Sequence, residues 1–225
     1  MNNVLLTVAF GGLLFVTMAS AETNVTAISP DRLTFYKVPL VCPAAPEIGC
    51  GSRSKPILIQ LEREKAVAEA WLNRPGTMIA IVWKPESKRK ERMAAFKAVS
   101  EKEELKAREL NRGEKKKALN DFLARDGWHR SNDVDRLSEE EAGIIAARLV
   151  GRIQAKVSVS EEKAKAIRSE FTGVFKRRFL GTQEKDELDT EERLLDVLRF
   201  HLDGKDVAVL KETLPRSLRP LPGEK

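Results

Sequence analysis

Between Leu33 and Cys42 the apolar side chains alternate, with Tyr36, Val38, Leu40 and Cys42 on one face and Leu33, Phe35 and Val41 on the other. That pattern, apolar on both sides, predicts a buried strand. Pro39 cannot donate to a ladder, so it makes this an edge strand or ends it early. CPAAPEIGCGSR follows as a loop, by its prolines and glycines. Ser52 or Ser54 then caps a helix with Pro56 in its first turn, carrying Ile57, Leu58 and Leu61 to about Glu64. Next come AVAEAWLN, Arg74-Pro75-Gly76-Thr77 and MIAIVW. Pro and Gly hold the central positions of a type II turn, so the three pieces predict a hairpin. A helix over Ala66 to Leu72 competes with it, because Ala and Glu favour helix.

From Ser87 the spacing turns helical. Lys88 to Leu110 reads as one long polar helix broken at Arg112-Gly113, and Glu114 to Ala124 as a second, ended by Asp126-Gly127. Trp128 to Asp135 reads as a polar loop holding His129. Ser138 with Glu141 has the form of a capping box, opening a helix with Ala142, Ile145, Leu149 and Ile153 on its apolar face. Ser160 caps the next helix, with a stripe of Ala164, Ile167, Phe171, Val174, Phe175 and Phe179, ended by Gly181. The link between these two is short, which predicts an antiparallel helical hairpin. Thr190 and Glu191 open a further helix with Leu194, Leu195, Val197, Leu198 and Leu202, and Lys205 to Leu214 adds a short one. The proline-punctuated PRSLRPLPGEK reads as a disordered tail. The fold class is α+β: a small α/β unit followed by a mainly helical C-terminal domain.

Composition adds a destination. Val4 to Val16 is an apolar run and Ala19-Ser20-Ala21 has the form of a cleavage site, so residues 1–21 read as a signal peptide. The chain is then exported, periplasmic or secreted; an N-terminal membrane anchor is the alternative. The remaining boundaries fall at 22–84 for the α+β unit, 85–126 for a charged helical segment, 127–214 for a helical bundle and 215–225 for the tail. Asn24-Val25-Thr26 is a formal glycosylation acceptor. With aromatics at 6% and charged residues at 33%, the chain buries a modest core and keeps long solvated helices.

Cations concentrate between Lys84 and Lys117, interleaved with glutamates such as Glu104, four residues before Arg108. This predicts a solvated helix with i to i+4 pairs. Phe96 is the only aromatic among these charges, and together with export that argues against nucleic acid. The basic helix around Lys88 to Lys117 is instead a candidate docking surface for a protein partner or an anionic lipid surface.

Catalytic candidates are few. No nucleophile elbow, phosphate-binding glycine loop, HExxH pair or EF-hand loop is present. His129, beside Trp128 and Asp133, is a candidate base, whereas His201 lies on or beside an apolar helix face and reads as a packing residue. The sequence points to a binding protein rather than an enzyme. Cys42 and Cys50 carry what chemistry there is. In an exported chain the preferred reading is a structural disulfide between them, worth about 2–3 kcal/mol by loop entropy. The competing reading makes Cys42 and Cys50 ligands of a soft metal (copper, mercury or zinc) at a helix N-terminus, where thiolate is favoured.

The order strand, Ile48-Gly49-Cys50-Gly51-Ser52-Arg53 loop, helix and hairpin over roughly residues 33–83 resembles the heavy-metal-associated domains. The resemblance implies a ferredoxin-like sandwich that binds soft metals through two cysteines after the first strand. The usual loop is Met-x-Cys-x-x-Cys; here Arg53 stands in place of the second cysteine, and Cys42 would substitute from upstream. Ser160-Glu161-Glu162 before Lys163 to Phe175 resembles, more loosely, small periplasmic helical-hairpin proteins that sense metals or act as chaperones. Two functions follow as expectations: an exported soft-metal binding protein, or a helical envelope-stress or chaperone-like interaction module with a structural disulfide.

Overall fold

β1 (Leu33–Lys37) stops two residues before Pro39, in the middle of the sheet rather than at its edge. The computed structural model describes residues 28–181, 187–211 and 218–224. The expected signal peptide, its membrane-anchor alternative and Asn24 lie outside the described residues. After β1 come α1 (Gly51–Arg63), β2 (Val67–Asn73), β3 (Met78–Trp83), α2 (Arg89–Lys102), β4 (Arg108–Glu109), α3 (Arg112–Leu123) and β5 (Trp128–His129). The helical half is α4 (Asp135–Gln154), α5 (Glu161–Leu180), α6 (Glu187–His201) and α7 (Gly204–Lys211). Among the described residues no helix is long and apolar enough to cross a membrane.

The sheet runs β4-β1-β3-β2-β5 with every neighbour antiparallel. Helices after β1 and after β3, with the order 4-1-3-2, make a ferredoxin-like unit to which β5 adds an outer strand. The fold class is thus α+β, as the patterning predicts. Alternation along β1 sorts the two faces. Tyr36, Val38 and Leu40 join α1 (Ile57, Leu58, Leu61) and α2 (Ala95, Phe96, Val99) in one core. Tyr36 stacks on Phe96 with ring centroids 3.5 Å apart. Leu33 and Phe35 face the other way, onto Ala118 and Phe122 of α3 and onto Trp128. There Phe35, Phe122 and Trp128 meet edge to face at 5.2–6.1 Å, each such pair adding about 0.5–1.5 kcal/mol to the burial itself.

The segment expected to be one polar helix from Lys88 to Leu110 is two elements. After α2 the chain reverses through Glu104 at φ +48 and forms β4 beside β1. Glu104 and Arg108 therefore never share a helix. Arg108 instead grips Glu114 through two bonds, at 2.8 and 2.6 Å, and Asn111 caps α3 by accepting from the Gly113 and Glu114 amides. Polar side chains suit helix, turn and edge strand alike, so strand pairing decided this segment. Because α2 and α3 cover opposite faces of the sheet, the Lys88 to Lys117 cations form no continuous basic helix.

Other boundaries move for packing reasons. Cys50, not Ser52 or Ser54, is the N-cap of α1, which places Pro56 inside the helix. Trp128-His129 is a strand beside β2, not a loop. Helix α4 begins at Asp135, so Ser138 and Glu141 are buried within it and form no capping box. Thr190 lies inside α6 rather than at its start. The hairpin of α4 and α5 holds the second core, with Ile145, Leu149, Ile167, Phe171 and Phe175 closed over by Leu194 and Leu198 of α6. Described tail residues 218–224 are held rather than loose. Arg148 donates to the Leu218 carbonyl at 3.2 Å, and Arg152 binds the Glu224 carboxylate at 2.6 and 2.5 Å.

The expected hairpin forms, but its turn closes one residue earlier than Arg74 to Thr77: Gly76, at φ +69, donates its amide to the Asn73 carbonyl at 2.8 Å. The Asn73 carboxamide oxygen accepts from the Thr77 and Met78 amides at 2.9 and 2.8 Å. Asn73→Ala leaves both donors unpaired in a half-buried turn and is expected to cost about 1–2 kcal/mol. Urea denaturation checks it; a midpoint equal to wild type would remove the turn-locking role.

Candidate functional site

The turn of the hairpin carries the cysteine loop. Beyond β1 the chain stays extended: the Val38 amide donates to the Thr77 carbonyl at 2.9 Å and the Leu40 amide to the Gly76 carbonyl at 3.0 Å. The loop then folds back so that Val41 pairs with Gly49, closed by Cys42 N–H to Ile48 O at 2.9 Å and Cys50 N–H to Leu40 O at 2.8 Å. Alternation on this short ladder puts Cys42 and Cys50 on the same side, diagonal to one another. They sit in a small cluster with Ala45 and Ile48, against Ile144.

The two cysteines are free thiols in this structure; the preferred disulfide is not formed. The two sulfurs share one buried cluster, and Glu141 of α4 is close enough to Cys42 to raise its thiol. Their surroundings differ. Cys50 has its thiol pulled well below the usual range, first by the Cys42 thiol, then by the Ser52 hydroxyl at 3.4 Å and by the amide and charge of Arg53. Its place at the N-terminus of α1 adds the helix dipole. Cys42 has its thiol pushed up, by donation to Cys50, by burial and by Glu141. Cys50 keeps 7% of its surface exposed and Cys42 only 1%. Both sulfurs are buried, and what separates them is direction: the Cys50 thiol is lowered and the Cys42 thiol raised.

Glu141 is the residue that sequence reasoning missed. α1 meets α4 at Gly51, where a Cβ would lie 2.5 Å from the Ser138 hydroxyl and 2.8 Å from the Val134 carbonyl oxygen. Only glycine permits that approach, and it brings the next turn of α4 against the cysteines. The Glu141 side chain is 5% exposed, and its Oε2 has no hydrogen-bond partner. Burial pushes its carboxyl up to about 7, with the Cys42 hydrogen bond and the Arg178 charge of α5 opposing and the Cys50 charge assisting. A sequence signal existed: Ser138, Glu141, Ile145 and Arg148 recur at helical spacing on the buried side. Polar residues at core positions mark a site more often than a cap.

The other candidates do not join this cluster. His129 sits in β5 with its Nδ1 buried, without a hydrogen-bond partner, and 3.6 Å from Asp133. His201 packs at the end of α6 with Nε2 2.7 Å from the Glu170 carboxylate. Among the described residues no three His, Cys, Asp or Glu side chains converge as a metal-binding set. Zinc takes four donors in a closed site. A copper or mercury ion on two sulfurs would draw on Cys42 and Cys50 alone and needs both as thiolates.

No protein-family model, curated protein or solved structure matches this chain.

Proposed function

We propose that this protein is an exported thiol–disulfide exchange protein, in which Cys50 attacks an external disulfide and Cys42 resolves the product. The observation that carries the reading is the asymmetry of a buried pair: Cys50, at the N-cap position of α1, has its thiol lowered, and Cys42, beside it in the same cluster, has its thiol raised. In the first step Cys50 Sγ attacks one sulfur of a disulfide RS–SR. An S–S bond forms between protein and substrate, and one RS⁻ leaves. In the second, Cys42 Sγ loses its proton and attacks Cys50 Sγ, forming the Cys42–Cys50 disulfide and releasing the other RS⁻. The dithiol is oxidised by two electrons and the external disulfide is reduced to two thiols. The same pair run backwards donates a disulfide, and the apolar run from Val4 to Val16 supports export to a compartment where such partners occur.

The experiment uses the full chain in glutathione buffers of graded ratio, quenched with acid and read by alkylation and mass spectrometry. Reversible interconversion of dithiol and disulfide is expected. Cys42→Ser should accumulate a glutathione adduct on Cys50, and Cys50→Ser should form none on Cys42. Three results would overturn the reading: no adduct on Cys50, a Cys42–Cys50 disulfide that glutathione cannot reopen, or stoichiometric capture of Cu(I) by the reduced protein that blocks exchange. The second would leave an interaction module with a structural disulfide, the third a soft-metal binding protein.

A further inference from the structure

Resolution by Cys42 poses a problem that the exchange reading leaves open. A thiol 1% exposed must lose its proton at the moment it attacks, with almost no access to water. The groups facing it are few. Cys50 lies on its own loop, Glu141 reaches it from α4, Arg53 stands at the start of α1 beside Cys50, and Arg178 faces Glu141 from α5. Of these only Glu141 can accept a proton from Cys42, because Cys50 is the electrophile in that step and guanidinium has no acceptor.

Glu141 is also placed at a cost that a packing role does not explain. A carboxyl on a buried helix face, with Oε2 unpartnered, is less favourable there than an apolar or amide side chain of the same size. It lies on the stretch of α4 that packs beside the dithiol cluster through Ile144 and the Gly51 contact, and its Oε2 is unpartnered among the described residues. We propose that Glu141 is the proton acceptor for Cys42 in the resolving step, a role that rests on the exchange reading. The Cys42 S–H bond breaks as its sulfur bonds to Cys50 Sγ. The proton passes to the Glu141 carboxylate, the Cys50–substrate S–S bond breaks, and the electron pair leaves on the substrate thiolate. Glu141 then returns the proton to the departing thiolate or to solvent. A carboxyl held near 7 by burial is suited to both transfers at neutral pH.

Stopped-flow mixing of the reduced full chain with oxidised glutathione separates capture by Cys50 from release of the second glutathione. In Glu141→Gln the release step should slow by about 100-fold at neutral pH and then climb with pH, as hydroxide takes over, while capture on Cys50 falls far less. In wild type, release should level off once the carboxyl is ionised. Glu141→Asp should restore part of the rate with the wild-type form of the profile. A Glu141→Gln protein whose release rate and pH profile match wild type would overturn the role of Glu141 while leaving exchange intact. If no adduct forms on Cys50 in any variant, exchange itself fails and this role with it.

Discussion

Gly76→Ala is expected to lower the unfolding free energy by roughly 3 kcal/mol or more and to unseat the cysteine loop. Gly76 holds φ +69, a conformation that L side chains rarely adopt. A Cβ there would also lie 2.5 Å from the Gly49 Cα and 2.5 Å from the Leu40 carbonyl oxygen. Both are backbone atoms, so no side-chain rotation relieves the clash. The chain must open where the turn holds the loop by Leu40 N–H to Gly76 O and Gly49 N–H to Arg74 O. Stability and chemistry should therefore fail together, with lower urea resistance and faster alkylation of Cys42. Gly143→Ala is the control. It lies in α4 with nothing within 4 Å of the added methyl and should gain about 0.5–1 kcal/mol from helix propensity. A Gly76→Ala protein with wild-type stability and a still-protected Cys42 would mean that the turn does not hold the loop.

Glu141→Gln should raise stability at pH 8 by roughly 2–3 kcal/mol and leave it nearly unchanged at pH 4. The folded carboxyl titrates near 7, against an ordinary value of 4.5. The folded state therefore holds this proton more tightly than the unfolded chain. Its favourable contribution is complete below pH 4.5 and is lost as pH rises through 7, where the ionised group is buried with one oxygen unpartnered. Glutamine carries no charge at any pH and removes that loss. Cys50 works in the opposite sense, because its lowered thiol favours the fold above the ordinary thiol range and loses that contribution as pH falls. It is present in both proteins, so the difference between them reports Glu141 together with its coupling to the two thiols. Urea unfolding of both proteins at pH 4, 6 and 8 measures it. A difference that does not grow with pH would show that the carboxyl is not buried as ionised charge at pH 8.

These two residues also mark the limit of what the chain reveals when read alone. The Pro-Gly turn was legible because its backbone demands belong to the residues themselves. So were the two-faced strand from Leu33 and the Phe171, Val174, Phe175 stripe behind Ser160, since burial on one side repeats with the period of the element. β4 and β5 were not legible. Each is two residues long and exists through pairing with β1 or β2, which nothing in Arg108-Glu109 or Trp128-His129 announces. Glu141 was misread for a related reason: Ser138-Glu-Glu-Glu141 satisfies the local rule for a helix start, and only contact with α1 pulls the start back to Asp135.

The sequence by itself determined the α+β class, the hairpin, the helical second half and the identity of the two sulfurs, because periodicity and turn chemistry act over a few residues. Tertiary structure decided what those sulfurs can do. Cys50 is the N-cap of helix α1, Gly51 lets α4 approach, and the approach buries Glu141 beside the cysteines. Their ionisation depends on burial, a helix terminus and a carboxyl ninety-one positions from Cys50, and such long-range electrostatics exist only once the chain is folded.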